Sequence, residues 1–369
     1  MLKKIIRKMY AINIASKFKG MSEFAINAIV KTYLNDFKIK QISLREKMKI
    51  HKCGFTVTNW KYLGLTEETS KEYLSNVQYF NMHPLNGEYS KWIDDKLTLK
   101  YILSGTVLDE YLPRYYFQID AKGNMLRLMD FCLEEKGNVV DDFVALLKEK
   151  KELAIKRIAG AIGEGFYKAQ YNKDLFYLNG EEYNEKVFRE KIKQLKNYLI
   201  TEYLKPHREI AEYCSETANS IRYLIGRVDG EMRMLKSFIR FGTKKSKFVE
   251  NYNAGGVLCY INEVGEFNYG NVIDAENLRN IIVYEHPDSK KELKGKVPLW
   301  DEIVKVKQML DKIFPQMEYL GVDFVVTSDN KVKMLEINSL TSLDALQMDV
   351  SILKTDVAEF FLKRIKNNQ

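Results

Sequence analysis

Near the end of the chain, Asp323, Glu336 and Asn338 have the types and spacing to hold a metal ion. Residues 320 to 327 and 332 to 338 run apolar or alternate with β-branched members, and Ser328, Asp329, Asn330 and Lys331 between them supply turn chemistry. The stretch predicts a β-hairpin. With Asp329 and Asn330 as the turn, Asp323 falls opposite Glu336 and Gly321 opposite Asn338, so Asp323, Glu336 and Asn338 share one face. An odd-numbered loop would shift that pairing. Two carboxylates facing each other at roughly 5 Å across a strand pair repel unless a cation sits between them. An amide oxygen beside two carboxylates, without His or Cys, suits magnesium or manganese rather than zinc. The alternative is an exposed hairpin whose acids face water.

A second group of residues suits phosphate. In the stretch LAIKRIAGAIGEGFYKAQ, from 153 to 170, a strand bearing Lys156 runs into Gly160, Gly163 and Gly165 and out into another strand. Glycines so spaced let backbone N–H groups converge on a phosphate that a strand-borne lysine also reaches. No GK[ST] follows and no helix starts there, which excludes a P-loop and a Rossmann fingerprint. A tight hairpin would also explain the glycines. Lys96 stands in the first turns of a helix predicted over 90 to 103, where Asp94 and Asp95 suit the helix dipole and a lysine does not. That place invites an anion, or leaves the lysine in water. Arg222 and Arg240 sit inside apolar β patterns, and a buried guanidinium needs an anionic partner, either a phosphate or a structural Asp.

These residues need strands and short connections to position them. Strands are predicted over 115 to 120, 125 to 129, 152 to 158, 166 to 169, 218 to 227 and 233 to 241, with helices over 139 to 148, 184 to 197 and 300 to 313. The last of these helices is N-capped near Asp301. The segment 198 to 214 begins as a strand and meets Pro206; its Glu202 end could offer backbone groups to an adenine edge, or be a core strand and turn. An Asn-rich loop and the pair Gly255-Gly256 precede another strand. A polar loop over 339 to 344 and a helix over 350 to 364 close the chain.

At 369 residues, 46% hydrophobic and 29% charged, the composition is that of a globular protein with a full core. No apolar run approaches the ~20 residues of a membrane span and no signal-peptide pattern opens the chain, so the expected compartment is the cytoplasm. Cys53, Cys132, Cys214 and Cys259 lie far apart without CxxC spacing and are expected as buried, reduced thiols. Residues 1 to 50 carry 12 Lys or Arg against 3 acids, a net +9, so the remainder of a chain of net +8 sums to −1. Within them, residues 2 to 19 predict a basic amphipathic helix with Leu2, Ile5, Ile6, Met9 and Ile12 at helical spacings. Such a helix lies on an anionic membrane or docks on the protein's own core, where the apolar stretch 23 to 34 could receive it. Nucleic-acid binding is disfavoured, because no reader motif accompanies the basic run.

The order Asp95-Lys96, Lys156 to Gly165, Thr201-Glu202-Tyr203-Leu204, Asn219-Ser220-Ile221-Arg222, Glu250-Asn251 with Gly255-Gly256, and Asp323 to Asn338 resembles the ATP-grasp superfamily. It is most similar to the sugar-transfer-associated branch, typically encoded with surface-polysaccharide synthesis, over roughly residues 85 to 345. The resemblance implies an α+β fold in which two α+β subdomains sandwich ATP behind a helical N-terminal region. Its divisions would be a basic helical region over 1–84, an N-terminal part with a glycine-rich lid over 85–204, and a C-terminal subdomain with the metal site over 205–369. It implies that Lys96 and Lys156 contact ATP phosphates, with Gly163 and Gly165 in the loop over them. Glu202, Tyr203 and Leu204 would hold the adenine, and Glu209 the ribose. Asp323, Glu336 and Asn338 would hold two magnesium ions, or manganese, and Arg222 and Arg240 would stabilise the transferring phosphoryl group.

There are departures. Arg157 follows the strand lysine where the superfamily commonly has Pro, and Gly321-Val322 stand where some relatives carry an Arg, which shifts anion stabilisation onto Arg222 and Arg240. The implied activity is ATP-dependent ligation of a carboxylate, through an acyl phosphate, to an amine or hydroxyl of a surface-polysaccharide sugar. The alternatives are a phosphotransferase acting on a sugar or lipid-linked sugar, and a membrane-surface scaffold with a vestigial nucleotide site.

Overall fold

The computed structural model describes residues 2–15, 21–135, 137–160, 165–247 and 249–367. Its N-terminal region is helical: α1 (Leu2–Ala15), α2 (Glu23–Asp36), α3 (Leu44–Lys52), α4 (Val57–Tyr62) and α5 (Asn76–Met82). Ser22, Ser43, Thr56 and Ser75 each accept a hydrogen bond from the N–H three residues on, which satisfies an orphan donor and fixes where α2, α3, α4 and α5 begin. Between these helices, His51 is hydrogen-bonded to the Asp36 carboxylate at 2.9 Å and stacked on Tyr33 at 3.8 Å.

The helix expected over 90 to 103 is two helices, α6 (Ser90–Asp94) and α7 (Lys96–Leu103). Asp95 between them is extended, at φ −95° and ψ 113°, and its carboxylate accepts from Thr98 N at 2.8 Å. An acid that caps the second helix ends the first, so Lys96 becomes the first residue of α7. Ile93, Leu99 and Leu103, with Leu108, Tyr111 and Leu112 after them, join the core of the second sheet described below.

Among the described residues sixteen strands follow in chain order. β1 (Tyr115–Ile119), β2 (Met125–Arg127), β3 (Glu152–Arg157), β4 (Tyr167–Asn172), β5 (Leu175–Leu178), β6 (Glu181–Tyr183) and β7 (Tyr198–Glu202) make one antiparallel sheet, ordered β2-β1-β7-β3-β4-β5-β6. The helices α8 (Val139–Lys150) and α9 (Glu185–Lys193) bury Phe143 and Phe188 against Phe117 and Phe176 of this sheet. The chain then passes through α10 (Arg208–Ala211) into β8 (Ile221–Val228), β9 (Glu231–Phe241), β10 (Val257–Tyr260), β11 (Glu266–Phe267), β12 (Gly270–Asp274), β13 (Arg279–Val283), β14 (Gly295–Lys296), β15 (Tyr319–Val326) and β16 (Val332–Asn338). The second sheet is ordered β13-β12-β10-β9-β8-β15-β16, while β11 and β14 pair as a separate ribbon.

Side-chain alternation decides what covers each face of the second sheet. Tyr223, Ile225, Val322 and Phe324 meet Trp300, Ile303, Val306 and Leu310 of α11 (Trp300–Ile313). Leu224 and Tyr319 point the other way, to Tyr79 of α5, Leu343 and Leu346 of α12 (Leu343–Gln347), and Phe360 and Phe361 of α13 (Ala358–Asn367). The helical N-terminal region is thereby attached to the same face of β8 and β15 that carries Arg222 and Asp323, farther along the strands, while α11 covers the reverse.

Several expectations are corrected. α11 is preceded by Leu299 at φ 54° with no side-chain cap, so Asp301 is a first-turn acid rather than the cap. The loop after Asn338 gives way to α12 at Leu343, and the last helix starts at Ala358, after a single 3-10 turn over Ile352–Lys354. The strands within 261 to 297 carried too little apolar alternation to be foreseen. Of the cysteines, all free, Cys259 is buried, Cys53 and Cys214 are half-buried and Cys132 is exposed. Among the described residues no helix is long and apolar enough to cross a membrane.

Candidate active site

The hairpin of β15 and β16 pairs Asp323 with Glu336 and Gly321 with Asn338, by a different route from the one expected. The turn is odd: Thr327 N donates to Lys331 O at 2.8 Å, which leaves Ser328, Asp329 and Asn330 as the loop, with Asn330 left-handed at φ 58°. Below it Phe324 pairs with Met334, and the register then shifts so that Leu335 is left over as a bulge. The bulge restores the pairing that the odd loop would have displaced.

The cations that offset these carboxylates are on neighbouring elements. Arg222, opposite Asp323 on β8, grips it with two bonds, Nε to Oδ1 at 2.6 Å and Nη2 to Oδ2 at 2.9 Å. Arg240 of β9 adds Nη2 to Oδ1 at 2.8 Å and also bonds Ser220 Oγ, which in turn donates to Glu250 at 2.7 Å. Burial alone would raise the Asp323 carboxyl, but the two guanidiniums outweigh it and hold the group well below the usual carboxylate range. Glu336 is paired with Lys96 at 2.7 Å, and Asn338 Nδ2 donates to its other oxygen at 3.2 Å. Arg240 Nε is a buried donor with no hydrogen-bond partner among the described residues. An unmade bond at a guanidinium is costly, and it favours an anion arriving there.

Gly321 explains how one chain accommodates Arg222 at this point. A Cβ on Gly321 would lie 2.6 Å from Thr341 Oγ1 and 3.3 Å from Arg222 Nη1. The space that an arginine two residues before Asp323 would need is therefore taken by an arginine from the adjacent strand. Gly321→Ala is expected to push Thr341 and Arg222 aside and to destabilise the chain by about 1–3 kcal/mol. Urea unfolding measures this, and an unchanged midpoint would contradict the packing.

Lys96 also donates to Gly160 O at 3.2 Å, which draws the start of α7 to the base of the glycine loop. Lys156, on β3, is half-buried with its amine 5.5 Å from the Tyr115 ring centroid. Desolvation pushes that amine down to about 7, the Lys96 charge adds to the effect, and Glu336 opposes it. Gly163 lies outside the described residues. Gly165 has φ +74°, and a Cβ there would meet Tyr198 Oη at 2.7 Å and Arg157 Nε at 2.8 Å. Arg157, in place of the common Pro, fills the space between Gly160 and Gly165 and lies over the Tyr198 ring at 5.6 Å.

The adenine candidates do not converge in this way. Glu202 accepts from Arg114 N at 3.2 Å, whereas Tyr203 lies under Lys168, 4.5 Å from its ring centroid, and donates to Glu216 O at 3.2 Å. Glu202 to Leu204 line a cavity of about 250 Å³ together with Arg114, Lys331 and Lys333. Glu209 stands exposed on α10. A larger cavity, about 690 Å³, lies between Lys236, Tyr260, Tyr269 and Asp349 and is lined by none of the candidate residues.

Two positioning groups escaped the sequence. Asp94 accepts from Ser339 N at 2.8 Å and Ser339 Oγ at 2.7 Å, fixing the loop that leaves Asn338. Tyr79 donates to Thr341 O at 2.6 Å, and Thr341 Oγ1 accepts from Arg222 Nη1 at 3.3 Å. Asp94 adjoins the Asp95-Lys96 pair that drew attention to this helix. Nothing near Tyr79 in the sequence marks its role.

Two α+β subdomains with a lysine and a glycine loop on the first sheet, facing an acid hairpin on the second, are the ATP-grasp fold. Residues 75–359 match the sugar-transfer associated ATP-grasp family, and the chain belongs to it. No curated protein matches the chain in sequence. Among solved structures it is similar to the D-alanyl-alanine synthetase A of Vibrio cholerae O1 biovar eltor str. N16961, with 12% identity, a TM-score of 0.45, and 77% of this chain and 67% of that chain covered. The ATP-grasp ligase PsnB complexed with a minimal precursor gives 11% identity, a TM-score of 0.41 and coverage of 82% and 70%. The L-amino acid ligase from Bacillus licheniformis gives 9% identity, a TM-score of 0.35 and coverage of 68% and 41%.

Proposed function

We propose that the chain is an ATP-dependent ligase that activates a carboxylate as its acyl phosphate and joins it to an amine or hydroxyl of a surface-polysaccharide sugar. The observation that carries this reading is the meeting of Asp323 and Glu336 with Lys96, Arg222 and Arg240 on one side of the second sheet, with one guanidinium donor unpartnered among the described residues. Six charged groups are gathered there if Lys156 is included, and four are cations, which suits a polyphosphate.

The donor set fits magnesium, since Asp323, Glu336 and Asn338 bring only hard oxygen ligands. Among the described residues no cluster of three or more His, Cys, Asp or Glu offers a competing metal site. Two ions would be held, or manganese in their place; when bound they neutralise charge on the transferring phosphoryl group. Lys96 and Lys156 bind phosphate oxygens, Gly163 and Gly165 belong to the loop that excludes water, Glu202 to Leu204 receive the adenine and Glu209 the ribose. In this reading residues 205–369 supply the metal site, 85–204 the lid and 1–84 the helical support.

Arg222 and Arg240 hold the oxygens of the phosphoryl group in flight. The substrate carboxylate oxygen forms a bond to the γ-phosphorus as the bond from that phosphorus to the bridging oxygen breaks and ADP leaves. The acceptor nitrogen or oxygen then attacks the carbonyl carbon, loses its proton, and inorganic phosphate departs. No protein nucleophile is needed.

Incubating the purified chain with ATP, candidate carboxylates and amino sugars tests the reading. ADP and free phosphate released in equal amounts, with acceptor consumed, is the expected result. Phosphate retained on the product would make the protein a phosphotransferase and reject ligation.

A further inference from the structure

We propose that the outward face of α1 binds the surface of an anionic lipid bilayer. The helix is apolar on two opposite sides. On one side Ile14, 4% exposed, and Tyr10 pack against Ile29 and Tyr33 of α2, and this contact holds α1 to the fold. On the other, Ile5, Met9 and Ile12 are 49%, 66% and 44% exposed. At about 100° of rotation per residue these three fall within about 60° of one another and opposite Ile14. Of the five apolar side chains described on α1 the docked side accounts for two, Tyr10 and Ile14, and a contiguous apolar strip on an outer surface marks a contact with something else.

Charge selects the occupant. α1 carries Lys3, Lys4, Arg7 and Lys8 and no acid, and Lys8 is exposed beside the strip. The surplus is confined to this end of the chain, +9 in residues 1 to 50 against −1 in the rest. An anionic bilayer satisfies both parts at once: acyl chains take Ile5, Met9 and Ile12, and headgroups take Lys8 beside the strip and answer the positive charge of this end of the chain. A nucleic acid would use the lysines and leave the apolar strip in water, and a second copy of α1 would oppose like charges. At 14 residues the helix is too short to span a bilayer, so it lies in the plane of the surface.

Sedimentation of the full-length chain with vesicles of phosphatidylcholine alone, or with about one third phosphatidylglycerol, tests it. Anionic vesicles are expected to bind at least about tenfold more protein than neutral ones, and the difference should shrink as salt shortens the Debye length. Met9→Glu with Ile12→Glu should lower binding at least about tenfold while leaving the thermal midpoint unchanged, because both positions are exposed. Should that variant not fold, Ile5→Gln gives the same readout. Equal binding to both vesicle types, binding to neither, or full binding by the substituted chains would overturn the proposal. So would retention on RNA or DNA with vesicles left unbound.

Discussion

Glu336→Gln is expected to lower turnover by about a thousandfold or more while the chain still folds. The substitution keeps volume and one acceptor oxygen but removes the charge that faces Asp323 across the hairpin and pairs with Lys96 at 2.7 Å. In the proposed site that charge helps to hold the divalent ion beside Asp323, whose own charge is already offset by two arginines. Lys96 keeps its bond to Gly160 O, and the hairpin keeps its backbone ladder, so the thermal midpoint should move by only a few degrees. ADP release measures the first effect and thermal unfolding the second. Calorimetry adds a third readout: nucleotide binding should lose most of its dependence on magnesium. Unchanged turnover would reject the metal assignment.

Lys156→Met should act in opposite directions on stability and on nucleotide binding. In the unfolded chain this amine titrates at 10.5, and in the fold it is pushed down to about 7. Between those values the folded chain carries fewer protons than the unfolded one. Stability therefore rises with pH from about 7 to about 10.5 and is least below 7, where the fold must keep the amine charged away from water. Removing the lysine removes that penalty, so the midpoint of Lys156→Met should exceed the parent's by a few degrees at pH 6 and fall into line with it near pH 10. Nucleotide affinity should fall about a hundredfold, since a phosphate loses a pre-placed amine that becomes its cation on binding. Because the incoming phosphates raise the lysine again, ATP binding by the parent near pH 8 should take up a proton. Binding heats in two buffers of different ionisation enthalpy measure that uptake, and its persistence in the methionine variant would assign it elsewhere.

How far the residues announced this site depends on the range of the interaction. The period-2 pattern of 320 to 327 and 332 to 338 announces the hairpin, but its two-residue turn pairs Asp323 with Glu336 only because the three-residue loop and the bulge at Leu335, neither of which the pattern shows, offset each other. Lys156 falls on β3 as the local pattern of 152 to 158 predicts, and Gly165 takes the left-handed φ of a turn. The partner of Arg222 was narrowed to a phosphate or an Asp, and strand order, which no local pattern fixes, made it Asp323. The bonds from Asp94 to Ser339 and from Tyr79 to Thr341 join residues from opposite ends of the sequence, and only the packed fold brings them together. The break at Asp95 was within reach, since an Asp one place before Lys96 is a helix-capping residue as readily as a first-turn acid.

The leftover residue in the acid hairpin has a consequence for how this protein can change. Two parity errors, one at the tip and one at Leu335, cancel. Deleting or inserting a single position anywhere between them would roll Glu336 and Asn338 to the reverse of the ribbon, into the hydrocarbon under α11, while every neighbour kept its identity. Length variation among relatives in this stretch should therefore come in compensating pairs, and an alignment that forces a lone gap there has mistaken which acid meets Asp323.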